Sequence, residues 1–151
     1  MIRRHELTDQ EWELLTSLIP RVATGRPRVE DRQVVNAMVY KLRTAISWRD
    51  LPERYGPWKT VHTRFRRYAL DDVFTRALQQ VQARADAAGD IDWLVQIDSA
   101  DCQIYRRRNI VERCFNRLKG FRGIATRYEK TATSYEAAVN LASILLWARS
   151  V

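Results

Sequence analysis

One fifteen-residue stretch, Tyr105 to Lys119 (YRRRNIVERCFNRLK), holds the residue types and spacing that could do chemistry. It contains neither Pro nor Gly, and Ile110, Val111, Cys114, Phe115 and Leu118 recur at three- and four-residue steps, so it is predicted to be helical. Tyr105, Arg108, Glu112 and Lys119 follow one another at steps of three, four and seven. At about 100° per residue they share one side of that helix. A carboxylate set between Arg and Lys is held ionised and is able to ligate a cation that is itself bound to phosphate. On spacing alone the simpler account is an amphipathic basic helix in which Glu112 pairs with Arg108 at i, i+4.

The elements that would position such a helix can be read in order. Thr8 to Glu11 (TDQE) is a capping box opening a helix over residues 8–18, with Trp12, Leu15 and Leu18 inward and Pro20 beyond it. Residues 21–29 form a basic loop around Gly25-Arg26-Pro27, and Arg26 and Arg28 suit a narrow, negative minor groove. Glu30 and Asp31 favour the N-terminus of a second helix over residues 30–45, whose apolar side is Val34, Val35, Ala37, Met38, Leu42 and Ala45. Ser47 caps a short turn in which Trp48 and Leu51 pack inward, and Pro52, Gly56 and Pro57 punctuate a sharp turn.

A third helix, residues 58–68, buries Val61, Phe65 and Tyr68. Its other faces carry Lys59, Thr60, His62 and Thr63, which suit base edges, and Arg64, Arg66 and Arg67, which suit phosphates. Helix, turn and basic helix after a packing helix is a helix-turn-helix-like plan, although a helical bundle with a solvated basic face fits the same pattern.

A fourth helix over residues 71–88 turns Val73, Phe74, Ala77, Leu78 and Val81 inward and ends at Gly89. Residues 93–97 (WLVQI) are the one good strand candidate, closing on Asp98. Residues 120–133 read as a basic linker with turns. Ser134 is expected to cap a last helix reaching Ala148, apolar nearly all round, which must be buried or face a partner. It is too short to span a bilayer.

The net charge of +8 is unevenly placed. Residues 1–70 hold 14 basic and 8 acidic side chains, residues 71–104 hold 2 and 7, and residues 105–130 hold 9 and 2. Two basic blocks divided by an acidic one suit an extended polyanion touching two regions. No run of 18 apolar residues and no signal peptide is seen, so a soluble chain is expected. Cys102 and Cys114 form no CxxC pair and read as free buried thiols.

Tyr, two residues, Arg, three residues, Glu, six residues, Lys resembles the signature of DDE transposases of bacterial insertion sequences, matched at Tyr105, Arg108, Glu112 and Lys119. The text from Tyr105 to Ala148 resembles the C-terminal end of the insertion-sequence-five family. The segments GRPR and SWRDLPERYGPWKTVHTRFRRY resemble that family's leading domain. The resemblance implies double-stranded DNA at transposon ends as partner, Mg²⁺ as cofactor, a bacterial cytoplasmic setting and an RNase H-like catalytic sheet. It also places Asp98, at the end of its first strand, and Glu112 as metal ligands.

Only 13 residues separate Asp98 from Glu112, where the family has most of a central sheet and a second Asp. Asp101 is the nearest carboxylate and lies on the wrong connection. The expected organisation is therefore mainly α: a DNA-binding domain over residues 1–89 and a catalytic remnant over residues 90–151. Three functions compete. The first is a DNA-binding protein of an insertion sequence that does not itself cleave DNA. The second is an active transposase or nuclease that completes its metal site by oligomerisation, and the third is a homo-oligomerisation module built on the apolar C-terminal helix.

Overall fold

A capping box does start the first helix. In a computed structural model describing residues 5–20, 29–88 and 116–148, α1 spans Asp9–Thr16. The Thr8 hydroxyl accepts from the Glu11 backbone N–H at 3.2 Å, and the Thr8 N–H donates to Glu11 Oε2 at 2.7 Å. Leu15 is fully buried, with Trp12 and Leu18 packed partly against the core. α2 is Asp31–Thr44 and buries Val34, Val35, Ala37, Met38, Val39 and Leu42. It stops one residue earlier than its apolar pattern suggests, because Ala45 takes a left-handed conformation (φ 58°) and its N–H closes the helix on the Lys41 carbonyl at 2.8 Å.

Two short 3-10 turns follow, Trp48–Asp50 and Glu53–Tyr55, the first capped by the Ser47 hydroxyl. Gly56, at φ 84° with Val29 lying 3.5 Å from where its Cβ would stand, turns the chain into Pro57 and α3, Trp58–Leu70. Asp71 ends α3, and α4 runs Val73–Ala88 with Val73, Phe74, Ala77 and Val81 inward.

The expected linker after residue 120 is in part helical. α5, Arg122–Ala125, is one turn that buries Phe121 and Ile124. It lies flush on the end of α2: a Cβ on Gly123 would stand 3.0 Å from the Leu42 carbonyl oxygen and 3.2 Å from its Cα. Only glycine permits that approach without displacing backbone. The last helix, α6, is Ala132–Ala148 and begins before Ser134. The cap is Thr131, whose hydroxyl accepts from the Ser134 N–H at 3.3 Å.

α6 packs on α3 and α4 and also touches α1 and α2, placing Ala138, Leu141, Ala142, Ile144 and Leu145 in the centre. Asn140 Nδ2 donates to Thr75 Oγ1 at 3.0 Å and fixes its rotation against α4. One continuous hydrophobic cluster thus joins Leu15, Val35, Phe65 and Phe74 to Phe121, Leu141 and Leu145. The mainly α class holds, with no strand among the described residues; the strand candidate at 93–97 lies outside them.

Because α6 fills the middle of this cluster, truncating it should be felt throughout. Leu145→Ala, at a site with no exposed surface, is expected to cost about 2–5 kcal/mol. Chemical denaturation followed by both far-UV circular dichroism and tryptophan fluorescence should show one coincident, shifted transition.

Candidate nucleic-acid interface

α3 presents two different sides. Inward go Val61, Phe65, Tyr68 and Ala69. Outward go Lys59, Thr63, Arg66, Arg67 and Leu70, at the three- and four-residue steps that make one helical stripe. His62, Thr63, Arg66, Arg67, Leu70 and Asp71 line one shallow, open concavity along that side. Leu70, 69% exposed, is the exposed large apolar side chain of the described residues.

Arg64 corrects the reading of this helix. It is buried, not set out for phosphate. Its Nη1 donates to Asp31 Oδ1 at 2.7 Å, and both terminal nitrogens reach the Val29 carbonyl at 3.3 Å. Arg64 therefore ties α3 to the start of α2. Asp31, expected to serve the α2 N-terminus, is its counter-ion. Thr60 and His62 are half-buried. The His62 ring lies 5.3 Å from that of Trp48 and 6.5 Å from that of Trp58. Burial pushes its pKa down, nearby Arg66 and Lys41 add to this, and Glu129 opposes it.

Three residues that the sequence does not mark out complete this side. Trp58, the first residue of α3, has Arg49 at 5.9 Å and Lys59 at 5.8 Å from its ring centroid, so cations gather at the helix N-terminus. Behind them Lys41 is buried at 2% exposure. Its ammonium is 2.9 Å from Glu129 Oε1, 4.6 Å from the Trp48 ring centroid and 3.8 Å from that of Tyr128. Desolvation lowers the Lys41 pKa and Glu129 works against it. The available signal is position: Lys41 falls on the apolar stripe of α2, one turn after Ala37 and Met38.

The connection between α2 and α3 covers residues 45–57, longer than the three or four residues of a compact helix-turn-helix. Of the remaining candidates, Lys119 is exposed at the end of helical residues 116–119. Arg26, Arg28, Asp98, Tyr105, Arg108 and Glu112 lie outside the described residues. Among the described residues no group of three His, Cys, Asp or Glu side chains comes together to hold a metal ion. No described helix is long and apolar enough to cross a membrane.

Residues 7–78, from the entry to α1 into the second turn of α4, match the family described as "Putative transposase of IS4/5 family (DUF4096)". The uncharacterized protein y4sN of Sinorhizobium fredii is 33% identical over 95 residues, covering 62% of this chain and 72% of that protein. The chain belongs to the IS4/5 transposase family. A second relative, the putative transposase for insertion sequence element IS6501 of Brucella ovis, is 40% identical over 53 residues. That match covers 35% of this chain and 41% of the relative. No solved structure matches the chain. The IS4/5 match includes Asp31, Lys41, Trp48, Trp58 and Arg64, so most of the scaffold behind the α3 surface lies inside it, whereas Glu129 and α6 lie beyond it.

Two outcomes separate scaffold from surface. Arg64→Ala should lower stability by about 1.5–3 kcal/mol through loss of its charged hydrogen bonds. Arg66→Ala should stay within about 0.5 kcal/mol of the parent chain; denaturant midpoints check both. For His62 the folded pKa lies below the unfolded value of 6.5, so the unfolded chain takes up the proton first as pH falls. That contribution to stability is present above pH 6.5 and is lost below it. His62→Gln should flatten the fall in denaturation midpoint between about pH 7.5 and 5.5.

Proposed function

We propose that this chain is a DNA-binding protein of an insertion sequence that engages duplex DNA at the element's terminal inverted repeats through the outer side of α3. The observation that carries this is the division of α3. Arg64 is turned inward onto Asp31 and Val29, while Lys59, Thr63, Arg66 and Arg67 stand outward on a helix fixed from behind. α2, the 3-10 connection and α3 act as a helix-turn-helix-like unit. Lys59 and Thr63, near the α3 N-terminus, meet base edges, with Thr60 and His62 at the flank. Arg66 and Arg67 meet phosphates. Arg26 and Arg28 supply an arm for the adjacent minor groove. Membership of a transposase family supports DNA as the polyanion, since the net positive charge alone does not choose among nucleic acids.

On this reading the chain does not cut or join strands itself. Transposases of the resembled DDE type use a divalent metal such as Mg²⁺. A two-metal site for phosphoryl transfer is held by carboxylates in fixed geometry, and Asp98 with Glu112 supplies two of the three the resemblance implies. The chain's part is to hold the element's ends, in repression of or competition with a complete enzyme.

Fluorescence anisotropy with an end-containing duplex and a random duplex, at two salt concentrations, tests the reading. Arg66→Ala/Arg67→Ala should weaken binding to both duplexes and reduce the magnitude of the salt slope by about two, one for each phosphate that is no longer neutralised. Unchanged affinity would remove α3 from the interface. With Mg²⁺ or Mn²⁺ the labelled end duplex should stay intact. Specific nicks absent from both Asp98→Ala and Glu112→Ala would establish a complete active site instead.

A further inference from the structure

Residues 116–131 carry five basic side chains, Arg117, Lys119, Arg122, Arg127 and Lys130, and one acid, Glu129. All five basic residues are exposed. The single acid is turned inward onto the buried ammonium of Lys41 at 2.9 Å. The segment thus presents positive charge outward with its one negative charge already paired.

Local geometry enforces this division. Gly123 seats α5 against Leu42, which buries Phe121 and Ile124 and leaves Arg122 facing out. The chain then leaves α5 through Arg127 in a left-handed conformation (φ 47°), with the Arg127 N–H on the Ile124 carbonyl and the Tyr128 N–H on the Gly123 carbonyl, both at 3.0 Å. That reversal sends Tyr128 and Glu129 towards Lys41 and leaves Arg127 and Lys130 outside.

The segment also borders the α3 surface. Tyr128 lies against Lys41, Lys41 against Trp48, and Trp48 against His62, each ring contact between 3.8 and 5.3 Å. His62 in turn lines the concavity that holds Arg66 and Arg67.

We infer that residues 122–130 form a second DNA-backbone contact, a ridge of Arg122, Arg127 and Lys130 that continues the α3 surface along the duplex. Its ligand is the phosphate backbone of double-stranded DNA outside the bases met by α3. It rests on the reading that α3 binds duplex DNA, and it adds non-specific affinity and footprint length without sequence preference.

The test uses the full chain, the ridge variant Arg122→Ala/Arg127→Ala/Lys130→Ala, the charge-keeping variant Arg122→Lys/Arg127→Lys/Lys130→Arg, and the α3 variant Arg66→Ala/Arg67→Ala. Each is titrated with a duplex of about one helical turn and one of about three turns, at several salt concentrations. The ridge variant should bind the long duplex roughly tenfold more weakly at 0.1 M salt, with a slope smaller by about two to three, and should bind the short duplex like the parent. The charge-keeping variant should retain the parent slope. Parent-like binding of both duplexes by the ridge variant, with weakened binding by the α3 variant, overturns the ridge and leaves α3 standing. Loss confined to a single-stranded RNA of equal length assigns the ridge to RNA and overturns it. A parent chain that binds no duplex overturns both readings.

Discussion

A lysine ammonium buried at the centre of a helical domain needs a counter-charge, and Lys41 finds its own far along the chain at Glu129. Breaking such a pair by removing one partner costs about 3–5 kcal/mol, because the remaining charge stays desolvated. Stacking beneath Trp48 and Tyr128 adds cation–π attraction but cannot replace the carboxylate. The segment after α5 is therefore tied to α2 by electrostatics as well as by apolar contact. Trp48, one wall of this box, is also the ring against which His62 of α3 rests. The position of the outward basic stripe thus depends on a charge supplied from beyond the family-matched residues.

The apolar α6 closes the same circuit from the other side. A helix apolar nearly all round must be covered, and Leu141, Ala142, Ile144 and Leu145 are covered by the helices of this chain. In the resemblance these residues belong with a catalytic domain. Here they share one cluster with Val61, Phe65 and Tyr68 from the buried side of α3. The part of α6 still partly accessible, including Val139 and Leu146, is narrower than its sequence suggests, which leaves less of it for self-association.

What can be read from the chain is local. The Thr8–Glu11 capping box, the Ser47 cap and the inward stripes of α1 to α4 follow from neighbours three or four residues apart, and they appear as expected. What cannot be read depends on distant partners. Arg64 sits in a run of arginines that looks uniformly basic, yet one of them is turned to Asp31, more than thirty residues earlier. Lys41 falls on the apolar stripe of α2, but its counter-ion lies on another element and cannot be read from its neighbours. Gly123 looks like a linker glycine because the surface it touches, the end of α2, is not adjacent in sequence. Thr131 caps α6 although Ser134 is the better cap by type, so residue type alone points to the wrong one of the two. In the candidate site, charge type is legible and orientation is not.

That orientation bears on how a DNA-facing surface would behave. His62, beside the outward cations of this surface, is held towards its neutral form by burial and by Arg66. His62 therefore adds positive charge to α3 less readily than an exposed histidine does. A basic surface exchanges counterions with a polyanion, so ionic strength governs its attraction. On the proposed reading, sequence preference would come from Lys59 and Thr63 and from the shape of the duplex. Arg64 and Lys41 give those two side chains a rigid base, the condition under which a few polar contacts discriminate among bases.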